Sequence, residues 1–215
     1  QLQMGLASLE HLLPKAPQIH DIFNGIEKSI KRVSSIAIQV KSLNQQNNNS
    51  TWTDLSFSIE EFLQNQSPSP DILQKKIRII FKSEILGSFY TPLSRLDVSR
   101  ILQNLLQNAV QASSMNSEIR ITLKNENNFA VLSVEDQGCG IPNHQHEKIF
   151  EPDFTTKYGV GTGLGLSIVR HICELRDGRV ELKSEINRGT QVTIRVPLNE
   201  KKPLGGENVL SNPHG

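Results

Sequence analysis

The 215 residues carry a formal net charge of +1 and 36% hydrophobic side chains, enough apolar material for one substantial core, or for a core plus a smaller module. A balance so near neutral, with no basic stripe, excludes nucleic acid as a principal partner, and no apolar run approaches the roughly 20 residues that cross a bilayer. Two cysteines, Cys139 and Cys173, show no metal-ligand or framework spacing, so no disulfide is expected and a reducing, cytoplasmic setting fits.

Leu2, Leu6, Leu9 and Leu13 outline a short helix that "PKAP", Pro14 to Pro17, brings to an end. From Gln18 to Leu43 apolar residues recur at Ile19, Ile22, Ile26, Ile30, Val33, Ile36, Val40 and Leu43, close to the heptad period. The two segments are therefore expected to form an antiparallel helical hairpin over 1–48. Its seams cannot both be buried within one hairpin, so a second copy is expected to complete a dimeric four-helix bundle. A polar linker, Asn44 to Thr51, leads into a second pattern. There a helix over Asp54–Gln64 is capped by Asp54, a loop follows at "SPSP", Ser67 to Pro70, and a strand at Ile77–Phe81.

"ILQNLLQNAVQAS", Ile101 to Ser113, is an amphipathic helix. Leu102, Leu105, Leu106 and Ala109 form its apolar face, and Asn104 and Asn108 lie on the opposite stripe with Asp97, Arg100 and Gln111. Asn costs up to ~0.7 kcal/mol relative to Ala inside a helix, which leaves two readings open: a solvated stripe, or one turned toward a ligand. Beyond it, Ile119–Lys124 and Phe129–Glu135 form a hairpin across "NENN", a helix spans Leu164–Arg176, and Arg179–Ser184 and Gln191–Val196 are strands. The whole is read as an α+β chain in which residues 52–199 form a mixed sheet covered on one face by helices. Residues 200–215 hold too little apolar content to pack and are expected to be a disordered tail.

Two glycine clusters carry the chemistry. "VEDQGCGIP" puts Asp136 at a strand end ahead of Gly138 and Gly140, either a plain turn or a carboxylate placed to accept from an exocyclic amino group. In "GVGTGLGLSIVR" Gly161, Gly163 and Gly165 run into a helix, whose free N–H groups and positive dipole end suit phosphate. The spacing is neither the GxGxxG dinucleotide fingerprint nor a P-loop. Upstream, "FTTKYGVG" has the composition of a mobile lid, where Lys157 either meets a terminal phosphate or is an exposed loop lysine. His144, His146 and Glu147 read as a metal site or, more simply, as polar surface.

In order, the Asn104/Asn108 helix, DxGxG, "IFEPDFTTK", GxGLGL and "RGTQVTIRVPL" resemble the catalytic ATP-binding domain of bacterial sensor histidine kinases, from about Trp52 to Leu198. The resemblance implies an α/β sandwich that binds ATP with Mg²⁺. It implies that Asn108 ligates Mg²⁺, Asn104 lies beside the phosphates, and Asp136 binds the adenine amino group. Gly138 and Gly140 would shape the loop around the base, and Thr190 would approach the adenine. Phe154 to Gly163 would be the ATP lid with Lys157 and Gly161 in it, and Gly163, Leu164 and Gly165 would meet the phosphates.

The same resemblance implies transfer of the γ-phosphoryl to a histidine on the dimerisation hairpin and relay to an aspartate of a response regulator. Laid over "QLQMGL", the family's phosphoacceptor box puts that histidine just before Gln1. His20, in "HDIFNGI", is the lesser candidate, because choosing it leaves no second bundle helix before Trp52. A degenerate scaffold that dimerises and binds without phosphotransfer is the alternative, suggested by Gln111 where many relatives carry a phosphate-facing lysine. No membrane contact is expected for this stretch.

Overall fold

The computed structural model describes residues 25, 26, 33, 52–85, 87, 89–152, 154 and 163–201. Apart from Gly25, Ile26 and Val33, the expected hairpin over 1–48 lies outside the described residues, as do the dimer built on it, His20, and the tail beyond Lys201.

Strand β1, Thr53–Asp54, pairs antiparallel with β3, Tyr90–Thr91, as a two-residue ribbon beside the main sheet. Helix α1, Leu55–Asn65, starts where expected, with the Asp54 side chain accepting from the Phe57 N–H at 3.1 Å. It buries Leu55, Ile59 and Phe62 on one stripe. The expected loop follows over 66–69, and beyond it comes a helix that the sequence reading did not include. Ser69 caps a short helix α2, Pro70–Lys75, with Pro70 in the first turn, where a missing N–H costs nothing. Lys76 then closes it in the left-handed conformation at φ 53°.

Strand β2, Arg78–Ser83, leads through β3 to the long helix α3, Arg95–Ala112. This helix begins six residues earlier than its apolar pattern suggested. Its start is fixed by a capping box in which the Ser94 hydroxyl accepts from the Asp97 N–H and the Asp97 carboxylate accepts from the Ser94 N–H. Asp97 therefore does not sit on an open polar stripe with Asn104 and Asn108. It is 6% exposed and also pairs with Arg176 at 3.3 Å.

The C-terminal end of α3 is held differently. Lys75 Nζ donates to the carbonyls of Val110 and Ser113, each at 2.9 Å, and of Gln111 at 3.4 Å. One cation thus satisfies carbonyls that the helix leaves without intrahelical partners.

The main sheet has five strands in the order β2-β4-β5-β7-β6, with β4 at Glu118–Glu126, β5 at Phe129–Asp136, β6 at Arg179–Glu185 and β7 at Gly189–Pro197. Only β2 and β4 run parallel; the other pairs are antiparallel. The β4–β5 turn is two residues long, Asn127 and Asn128 at φ 52° and 65°, as a primed turn between twisted strands requires. Ile119, Ile121, Leu123, Leu132, Val134, Ile194 and Val196 point to one face and are buried against α1, α3 and helix α4, Gly165–Glu174. The opposite face carries charge, for example Arg120 between Glu118 and Glu135. Helices on one face of a mixed sheet is the arrangement the sequence implied.

Candidate functional site

A cleft of about 470 Å³ opens between the C-terminal half of α3, the end of β5 and the start of α4. Asn104, Asn108 and Gln111 line it from α3, Asp136 and Thr190 from the sheet, and Gly163 and Gly165 from the entry to α4. These belong to segments far apart in sequence, and the fold brings them to one surface. Of the polar stripe of α3, Asn104, Asn108 and Gln111 border this cleft.

Each wall has a local cause. On α3, Asn104 Nδ2 donates to the Arg100 carbonyl at 2.7 Å, a bond that only the amide nitrogen can make. Its oxygen is thereby turned toward α4, where a Cβ built on Gly165 would lie 3.1 Å from Asn104 Oδ1 and 3.6 Å from Asn108 Nδ2. Glycine at 165 thus lets the two helices approach. Gly163, at φ 67°, makes the turn into α4, and no side chain caps that N-terminus. Its first N–H groups and dipole face the gap beside the two asparagines.

At the sheet end, Asp136 is buried at 7% exposure, and its Oδ1 accepts from the Gly138 N–H at 2.8 Å. That bond folds the chain into the loop that follows. Gly138 itself faces α3, where a side chain would run into the Ala112 carbonyl, so it sets the approach of the loop and does not line the cleft. Gly140, at φ 69°, lies against the Glu185 carbonyl and does line it. Leu164 is buried at 5% exposure and also stays out of the lining. Asp136 and Thr190 are register partners on β5 and β7, and β7 can come this close because Gly189, at φ 102°, packs on the Asp136 backbone carbonyl. Lys157 and Gly161 lie outside the described residues.

Sequence reasoning missed part of the wall. Ile141, Ile149, Phe154 and Leu166 give it an apolar side, and no periodicity marks loop residues of this kind. Ser184 and Gly189 were missed too, although "NRGT" carries a turn signal that could have pointed to the glycine. His146 Nε2 lies 2.9 Å from the Ile141 carbonyl and so holds the loop. Among the described residues, no group of three His, Cys, Asp or Glu side chains could hold a metal, and no helix is long and apolar enough to cross a membrane. A hard cation with phosphate and water ligands needs only one or two protein oxygens, and the amide oxygens of α3 suit that demand.

Residues 94–200 match the family described as histidine kinase-, DNA gyrase B-, and HSP90-like ATPase. The catalytic domain of the histidine kinase ThkA superposes with a TM-score of 0.57 at 31% identity, over 68% of this chain and 94% of that one. The chain belongs to the sensor histidine kinases and contains their ATPase domain. Among curated relatives, the signal transduction histidine-protein kinase AtoS of Escherichia coli is 38% identical over 135 residues, 61% of this chain and 21% of that protein. The sensor histidine kinase ZraS of the same organism is 30% identical over 196 residues, 89% of this chain and 41% of that protein. The chain thus spans less than half the length of these relatives.

Proposed function

We propose that this domain binds Mg-ATP in the cleft and passes its γ-phosphoryl to a histidine of the dimerisation hairpin, for relay to an aspartate of a response regulator. The observation that carries the reading is the convergence of Asn104 and Asn108, Asp136 and Thr190, and the glycine entry to α4 on one cleft. Asp136 would accept from the amino group of adenine, with Thr190 beside it. The apolar wall of Ile141, Ile149 and Leu166 would take the faces of the base. Gly163 and Gly165 would offer N–H groups to the phosphates, which the dipole of α4 favours, with Lys157 and Gly161 approaching from the lid.

Asn108 would give an oxygen to Mg²⁺, with Asn104 beside the phosphates. When bound, the cation neutralises phosphate charge. In the transfer an imidazole nitrogen forms a bond to the γ-phosphorus while the bond to the bridging oxygen breaks and ADP leaves. The protein's share is to position the groups in line and keep water away. Homodimerisation through residues 1–48 and a cytoplasmic location belong to the same proposal.

Calorimetric titration with a non-hydrolysable ATP analogue, with and without Mg²⁺, tests it. Saturable, Mg²⁺-dependent binding that Asn108→Ala abolishes is the expected result. No binding up to millimolar nucleotide would overturn it; binding without phosphoryl transfer to a hairpin histidine would leave the scaffold reading, for which Gln111 in the cleft wall is the supporting observation.

A further inference from the structure

The β6–β7 hairpin holds a hydroxyl that the nucleotide reading does not use. Ser184 Oγ donates to the Gly189 carbonyl at 2.9 Å, accepts from the Ile141 N–H at 2.8 Å, and lies 2.9 Å from Thr190 Oγ1. A serine hydroxyl has one hydrogen and two lone pairs. The carbonyl can only accept and the amide can only donate, so the hydrogen and one lone pair are committed. The remaining lone pair must receive the Thr190 hydrogen. Thr190 Oγ1 then turns lone pairs alone toward the cleft it lines, next to Asp136, whose carboxylate only accepts.

We infer that Ser184 is a positioning residue that fixes the direction of the Thr190 hydroxyl, so that the floor of the cleft offers acceptors only and selects a 6-aminopurine over a 6-oxopurine. The inference rests on the nucleotide reading above. A 6-amino group brings N–H donors to this floor. A 6-oxo group sets lone pairs against lone pairs, because the hydrogen of Thr190, the one hydroxyl among the described residues that line the cleft, is held by Ser184; the N1–H beside it is the part of a 6-oxopurine that such a floor still accepts from. Adenine N1, itself an acceptor, gains nothing from either group and takes its hydrogen from solvent. The same serine ties the Gly138–Ile141 loop to the hairpin, helped by the Asn187 N–H donating to the Cys139 carbonyl at 2.8 Å.

The test is the ratio of dissociation constants for ATP and ITP, both with Mg²⁺, measured on the full chain. ITP differs from ATP in the 6-position and the adjoining N1 proton. Ser184→Ala frees the Thr190 hydroxyl to donate to the 6-oxo group, and the preference for ATP should shrink about five- to tenfold. Ser184→Thr should keep the wild-type ratio. Thr190→Val removes the hydrogen and the lone pairs together and leaves Asp136 alone to discriminate, so adding Ser184→Ala to it should change the ratio no further. Ser184→Cys keeps the volume but accepts weakly, and it should narrow the ratio if the alanine variant does not fold. An unchanged ratio in Ser184→Ala, or the same narrowing in the Thr190→Val background, overturns the inference while the nucleotide reading stands. Wild-type protein that binds neither nucleotide overturns both.

Discussion

Gly165→Ala separates folding from ligand binding more cleanly than any other single change in this site. Gly165 is in α4 without a positive φ, so alanine fits the backbone and stabilises the helix by about 0.4–1 kcal/mol. Against this, the new methyl carbon would sit 3.1 Å from Asn104 Oδ1, a few tenths of an ångström too close. Asn104 cannot swing away without losing its 2.7 Å bond to the Arg100 carbonyl, and pushing it off its rotamer costs about 0.5–1.5 kcal/mol. The two effects nearly cancel, so the melting temperature should move by less than about 4 °C.

Nucleotide affinity should nevertheless fall at least tenfold, about 1.4 kcal/mol, because the methyl fills the gap between the asparagines and the first turn of α4. Thermal melting by circular dichroism, paired with calorimetric titration of Mg-ATP, reads both quantities. Affinity within twofold of wild type would show that nothing binds in that gap. A melting point lowered by more than about 10 °C would show that the close approach supports the fold itself.

Three further outcomes follow from the packing. Lys75→Met should cost about 2 kcal/mol in urea denaturation, since it strips a cation from carbonyls at the end of α3; a loss below 0.5 kcal/mol would show that solvent serves those carbonyls equally well. Gly189→Ala should cost at least about 2 kcal/mol, from a φ of 102° and a collision with the Asp136 carbonyl, and should weaken nucleotide binding in parallel. Burial raises the Cys173 thiol from its ordinary 9.0 to about 12, with Glu174 and Asp97 adding to it. The unfolded chain therefore loses this proton first, and Cys173's share of stability should decline by about 1.4 kcal/mol per pH unit between pH 9 and 12. Cys173→Ala should flatten that slope, and in the native wild type a thiol reagent should find exposed Cys139 quickly and Cys173 only after denaturation.

The sequence made the sheet legible because one face is buried and the other charged: along β4, Ile119, Ile121 and Leu123 alternate with Arg120, Thr122 and Lys124. It made α3 and α4 legible through their apolar stripes. It hid the capping box of α3, since Asp97 read as one more polar residue, and it hid α2, since "SPSP" is as much a loop as a helix start. Within the site, Asn104, Asn108, Asp136 and the glycines announced themselves as residues too polar or too small for their places. Ser184 did not, because a serine on a strand is unremarkable until its three partners are in position, and those depend on the tertiary fold.

The place of β7 in the sheet bears on how the protein is made. It is the last strand in sequence among the described residues, yet it lies between β5 and β6 and supplies Thr190 to the cleft. On a ribosome adding roughly 5–20 residues per second, β5 and β6 emerge before the strand that joins them, each with a row of unpaired backbone groups. Such edges invite pairing with other chains. The interval before Pro197 clears the exit tunnel is thus a period of exposure to aggregation, and a nucleotide bound as proposed, which would need β7 to complete its floor, would offer the nascent chain no protection until that interval has passed.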